Sequence, residues 1–96
     1  MLISRNIEKL SSTALEIQKV RKGCKTRIGS FDFGSSTKVD AYKGIFDKIK
    51  DLDVSVLVNN VGLSAPGGFS SKSDTEIFNM TAVNVYPIIL LTKFFL

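Results

Sequence analysis

Apolar residues at Ile7, Leu10, Ala14 and Ile17 recur at the three- and four-residue spacing that puts side chains on one face of an α-helix. Asn6 stands ahead of them as an N-cap, Glu8 falls in the first turn, and Gly23 closes the helix. Leu2 and Ile3, upstream, read as the end of a strand; residues 26–31, with Ile28 and Phe31, read as a second short one. Val39, Tyr42, Phe46 and Ile49 repeat the helical spacing and predict a second helix ending near Lys50. Residues 54–58 are almost continuously apolar and β-branched, the pattern of a strand covered on both faces. Strand, helix, strand, helix, strand is the alternation that yields a parallel sheet with right-handed crossovers.

The C-terminal third begins with Asn59-Asn60-Val61-Gly62 and a loop over residues 63–72 rich in Gly, Ser and Pro. Ser73-Asp74-Thr75-Glu76 has the spacing of a capping box, in which the serine and glutamate each satisfy an orphan amide of the other. It opens one long final helix whose inward stripe is expected to run Ile77, Met80, Asn84, Ile88 and Leu91. Asn84 is the polar member of that stripe, and an unpaired buried amide would cost about 1–3 kcal/mol, so it needs a partner. Pro87 inside this helix deletes its amide bond to the carbonyl of Val83 and predicts a kink close to Asn84.

Ninety-six residues, 44% hydrophobic and 23% charged, make one small globular domain over residues 1–96 and leave no room for a two-domain enzyme. The net charge of +4 is unevenly placed: residues 1–28 carry seven basic groups against Glu8 and Glu16, while the remainder carries six basic against seven acidic groups. Such an excess can meet nucleic acid, a membrane surface or a phosphorylated small molecule. The cations lie off the apolar stripe, as on a solvated helix face, and no aromatic residue interleaves residues 19–27 for base stacking, so no nucleic-acid partner is expected. Cys24 is alone and histidine is absent, which excludes a disulfide framework, a Cys/His zinc site and any triad that needs imidazole. A reducing, intracellular compartment follows. The most apolar tract, residues 85–91, falls far short of the roughly 20 needed to span a bilayer, so no membrane segment and no signal peptide is expected in this chain. The sequon Asn79-Met80-Thr81 is read as unmodified, and Gly29, Gly34 and Gly44 form no phosphate-cradling glycine motif.

In an open parallel sheet ligands bind beyond the carboxyl ends of the strands, which here are Ser4-Arg5, Asp32-Phe33 and residues 59–62. Arg5 would carry its guanidinium past the first strand, where a two-pronged grip on phosphate is its characteristic chemistry. At the equivalent point of a dinucleotide site an acid binds the ribose hydroxyls of NAD, whereas an arginine suits the 2′-phosphate of NADP. Asp32 is compatible with an ordinary turn as well. Asn59 and Asn60 offer adjacent amides for neighbouring strand ends, and Gly62 allows close approach of a ligand to the backbone.

Together these residues resemble the short-chain dehydrogenase/reductase family: Leu2-Ile3-Ser4-Arg5 leading into a Glu8-Lys9-Leu10 helix, Phe31-Asp32-Phe33, Asn59-Asn60-Val61-Gly62, and Val83-Asn84-Val85 before Leu91-Thr92-Lys93. Valine at position 61, where most members carry alanine, and the Ile-Ser-Arg entry resemble the group of 17-beta-hydroxysteroid dehydrogenases and very-long-chain 3-oxoacyl-CoA reductases. The resemblance implies an α/β, partial Rossmann-like doubly wound parallel sheet that lacks its first strand and its C-terminal half. It implies NADPH as cofactor, with Ser4 and Arg5 on the 2′-phosphate, Asp32 on the adenine amino group, and Asn59, Asn60 and Gly62 in the turn lining the adenosine side and steadying the sheet. Asn84 would be the catalytic-tetrad asparagine, its main-chain carbonyl positioning a water of the proton relay. The substrate would be a small ketone, a 3-oxoacyl-CoA or a 17-ketosteroid, reduced to an alcohol; the full-length protein would sit at the endoplasmic reticulum and form a homodimer.

The family's glycine-rich first strand would precede Met1, and its catalytic serine and Tyr-x-x-x-Lys would follow Leu96; none of these motifs occurs in the chain. The resemblance therefore implies a fragment inactive by itself. In the strand order 3-2-1-4-5 of such sheets, the missing strand would lie between the strand ending at Ser4 and residues 54–58. The chain alone is then expected to be molten or to pair its strands differently, since each buried orphan backbone group costs about 1–3 kcal/mol. The alternative reading is a small non-catalytic α/β module that binds nucleotide or a partner; detectable NADPH binding by the isolated chain, lost in Arg5→Ala, would favour it.

Overall fold

The computed structural model describes residues 1–96, which form two compact units, Met1–Asp32 and Phe33–Leu96. The first unit is strand β1 (Leu2–Ser4), helix α1 (Ile7–Val20) and strand β2 (Ile28–Ser30). β1 and β2 pair in parallel, with Leu2 opposite Ile28, Ile3 opposite Gly29 and Ser4 opposite Ser30. The ladder is closed at its ends by Leu2 N–H to the Arg27 carbonyl at 2.8 Å and Phe31 N–H to the Ser4 carbonyl at 3.0 Å. α1 covers both strands with Leu10 and Ala14, the buried members of its stripe. Asn6 caps this helix as expected, its side chain accepting from Lys9 N–H at 2.9 Å. The helix gives way to a turn closed by Cys24 N–H to the Arg21 carbonyl, in which Gly23 takes the positive φ of 85° that other residues resist.

The second unit holds helix α2 (Val39–Ile49), a 3-10 turn at Phe69–Ser71, and helices α3 (Asp74–Asn84) and α4 (Tyr86–Phe95). Its core is Phe33, Tyr42, Ile45 and Ile49 with Ala82, Val83, Pro87 and Leu91. Phe46 of α2 stacks on Phe94 of α4 with ring centroids 4.3 Å apart and planes 3° from parallel. The capping box at the start of α3 is complete: Ser73 N–H and Oγ donate to Glu76 Oε2 at 2.8 and 2.9 Å, and Glu76 N–H donates to Ser73 Oγ at 3.3 Å.

Three sequence expectations are corrected here. Residues 54–58 form no strand: the sheet has two members, and Val56 and Val58 are 78% and 76% exposed rather than covered. Apolar character at this site could not create a strand without a ladder partner, because a strand's backbone groups bond only to a neighbour. The long final helix is two helices divided at Val85, and Pro87 lies in the first turn of α4, where its missing N–H costs nothing. The break also shifts the inward stripe to Ala82, Val83, Pro87 and Leu91, leaving Asn84 and Ile88 exposed.

The helical stretch Asp74–Phe95, 22 residues with a mean hydropathy of 1.3 in its best 18-residue window, is long and apolar enough to cross a membrane by length and composition. The stretch interleaves polar residues with apolar ones, so its longest uninterrupted apolar tract is short. Core helices of water-soluble domains meet the same two criteria.

The elements are mixed helix and strand, with one parallel two-stranded sheet, which is a partial Rossmann-like α/β fold.

Candidate cofactor site

The expected site residues fall into two sets, one in each unit. In the first, the carboxyl ends of both parallel strands lie side by side, since Ser4 and Ser30 are register partners. The chain leaves β1 through Arg5 and enters the α1 cap at Asn6. Ser4 Oγ accepts from Asn6 N–H at 3.4 Å, which leaves its hydroxyl hydrogen to donate elsewhere. Arg5 is exposed, and its main-chain carbonyl accepts from Ser30 Oγ at 3.0 Å. Asp32, also exposed, lies two residues beyond the end of β2. Ser4, Arg5 and Asp32 thus share the carboxyl-end rim of one small sheet, with a cation, an anion and a hydroxyl. Ser30 was not singled out from sequence; only the register reveals it.

In the second unit, Asn84 is exposed yet fully engaged. Its Oδ1 accepts from Leu63 N–H at 2.9 Å and its Nδ2 donates to the Leu63 carbonyl at 2.8 Å. The amide therefore treats Leu63 as one strand treats another, satisfying both backbone groups of a residue that belongs to no ladder. Gly62 is adjacent: a Cβ there would stand 3.4 Å from Asn84 Oδ1, an ordinary contact, so the expected close approach of a ligand to its backbone is not what shapes this turn. Asn59 Nδ2 donates to Thr92 Oγ1 at 3.4 Å, which ties the turn to α4 rather than to a strand end. Asn60 is exposed and its N–H bonds the Val58 carbonyl at 3.1 Å. Leu63 and Thr92, partners of the two asparagines, carried no sequence signal of their role.

The electrostatics outside these sets are modest. Glu76 is held below the ordinary glutamate range, chiefly by the Ser73 backbone N–H and then by the Ser73 hydroxyl. Burial pushes the Tyr42 hydroxyl above the usual tyrosine value, because ionisation would leave a charge in the core. No group of three or more His, Cys, Asp or Glu side chains is placed to hold a metal ion.

The sequence profile described as short chain dehydrogenase matches residues 1–96, and the chain belongs to that family. Members of this family bind NAD(P)H. The chain is 37% identical over 95 residues to the very-long-chain 3-oxoacyl-CoA reductase of Coccidioides immitis, covering 97% of this chain and 27% of that protein. It is 36% identical over 95 residues to the protein of the same name from Mycosarcoma maydis, with 97% and 27% covered. The human 17-beta-hydroxysteroid dehydrogenase type 3 is 35% identical over 99 residues, covering 100% of this chain and 30% of that enzyme. The chain thus spans less than a third of the length of these relatives. No solved structure matches it.

Proposed function

We propose that residues 1–96 are one partial dinucleotide-binding domain, the cofactor-facing part of an NADPH-dependent reductase. Its substrate is a ketone of a 3-oxoacyl-CoA or a 17-ketosteroid, which becomes an alcohol. The observation that carries this reading is the placement of Ser4 and Arg5 at the carboxyl end of β1, with Asp32 beyond the neighbouring strand. An exposed guanidinium beside a hydroxyl with a hydrogen to donate matches the charge and the acceptors of a 2′-phosphate. Asp32 in this reading accepts from the adenine amino group, and the turn of Asn59, Asn60 and Gly62 lines the adenosine side. Bound NADPH supplies the hydride.

Asn84 serves this reading through its main chain. Its side chain is committed to Leu63, which fixes the end of α3, and Pro87 has no N–H to offer the Val83 carbonyl. A carbonyl at this helix break can hold a water of the proton relay. In this reading residues 1–96 turn over no substrate by themselves, and the absence of a Tyr-x-x-x-Lys from them is its support. The resemblance to the reductase group is the support for placing the full-length protein at the endoplasmic reticulum as a homodimer.

The test is a chimera in which residues 1–96 replace the matching segment of the Coccidioides immitis reductase. Ketone reduction with a preference for NADPH over NADH is expected, and Arg5→Ala should shift that preference toward NADH. An active chimera indifferent to the 2′-phosphate would overturn the NADPH reading; an inactive but folded one would overturn the reductase reading.

A further inference from the structure

We propose that Ser30 is a positioning residue for cofactor selectivity, fixing the direction in which Arg5 leaves the sheet; the inference rests on the reading of Arg5 as the 2′-phosphate ligand. Arg5 lies in a link between a strand that ends at Ser4 and a helix cap at Asn6. Its neighbours are each tied by a local bond. The Ser4 carbonyl takes the last bond of the ladder from Phe31 N–H at 3.0 Å, and the Asn6 carbonyl takes the first helical bond from Leu10 N–H at 3.1 Å. The Arg5 carbonyl lies between these and is served by neither ladder nor helix. Its bond comes from the Ser30 hydroxyl, 25 residues away in sequence and on the partner strand.

That bond sets the orientation of the Arg5–Asn6 peptide plane, and through it the backbone torsion from which the Arg5 side chain departs. A guanidinium gains from a phosphate only when its fork meets two oxygens together, so a rotated backbone weakens the grip without removing the charge. The two serines at the strand ends divide the work. Ser4 keeps its hydroxyl hydrogen for the ligand, while Ser30 spends its own on the main chain.

The experiment measures binding of adenosine 2′,5′-bisphosphate and of adenosine 5′-monophosphate to the full chain and to Ser30→Ala, Ser30→Thr and Arg5→Ala. The ratio of the two affinities isolates the 2′-phosphate. Loss of one neutral hydrogen bond should lower that ratio roughly three- to tenfold in Ser30→Ala. Ser30→Thr, which keeps the hydroxyl, should retain the wild-type ratio, and 5′-monophosphate affinity should be unchanged in both. An unchanged ratio in Ser30→Ala, with Arg5→Ala lowering it, overturns the role of Ser30 and leaves that of Arg5 standing. An unchanged ratio in Arg5→Ala, or no preference in the wild type, overturns the 2′-phosphate reading and this inference with it. Loss of both ligands together in Ser30→Ala marks a merely structural serine and also overturns the inference.

Discussion

The side chain of Asn84 grips the main chain of Leu63 from both sides, accepting from its N–H at 2.9 Å and donating to its carbonyl at 2.8 Å. The pair joins the end of α3 to the segment that follows the Asn59–Gly62 turn, so one amide holds a loop that no ladder holds. Asn84→Ala should remove both bonds and cost on the order of 1–2 kcal/mol, since exposed neutral bonds contribute about 0.5–1.5 kcal/mol each. Asn84→Asp keeps the acceptor for Leu63 N–H and sets a carboxylate oxygen against the Leu63 carbonyl. Hydrogen exchange should therefore show the Leu63 amide unprotected in the alanine variant and still partly protected in the aspartate variant; equal protection in all three proteins would contradict the clamp.

The capping box gives a pH dependence with a defined sign. Glu76 has a lowered pKa because its carboxylate receives the Ser73 amide and hydroxyl. A group depressed in the folded chain contributes stability above its unfolded pKa, near the ordinary glutamate value of about 4.3, that is lost as pH falls through the lowered folded value. The Ser73 amide resonance should titrate with a midpoint below that ordinary value, and α3 should begin to fray there. In Glu76→Gln the midpoint should vanish while the helix persists, because glutamine can still accept from the Ser73 amide. A midpoint at or above the usual glutamate range would contradict the box.

How far these features were legible in the sequence depended on how local their causes are. The Asn6 cap, the Ser73–Glu76 box and the bounds of α2 are set within a few residues, and each stands where the sequence puts it, although α2 turns Ile45 rather than Val39 into the core. The rim residues Ser4, Arg5 and Asp32 were legible because a strand end is a position along the chain. Their relation to Ser30 was not, since it depends on the parallel register of segments 25 residues apart. The inward face of the last helix failed for a similar reason. A break at Val85 resets the helical phase, and Pro87 signals a disruption without saying on which side of it the helix will part. Residues 54–58 failed most clearly, because their β-branched composition states a preference that only a neighbouring strand can fulfil.

The contact between Phe46 and Phe94 tests the packing of α2 on α4. The rings lie parallel at 4.3 Å, and Phe94 remains 37% exposed, so the pair sits at the margin of the core formed by Tyr42, Ile45 and Leu91. A double-mutant cycle through Phe46→Leu and Phe94→Leu should give a coupling energy of about 0.5–1.5 kcal/mol, the range for aromatic pairs beyond their area burial. Ile45→Ala, by contrast, empties a site that is 2% exposed and should cost about 2–5 kcal/mol. Additive effects in the cycle would mean that the rings lie together without interacting.

Residues 54–58 should govern how the chain behaves when concentrated. Val56 and Val58 are two apart, so in an extended segment they face the same way, and both are more than three-quarters exposed. The stretch Val54-Ser55-Val56-Leu57-Val58 carries no charge and no proline, and it forms no strand. An uncovered, unpaired segment of this composition is a template for a second chain, and natural edges suppress such pairing with a lysine. Val56→Lys should therefore lower self-association, read as light scattering or sedimentation over a concentration series. Its effect on monomer stability should stay within about 0.5 kcal/mol, because the replaced side chain is already in water. If Val56→Lys self-associates as the wild type does, the segment is not the point of contact. If it unfolds the chain, Val56 is packed in solution rather than open to a second chain.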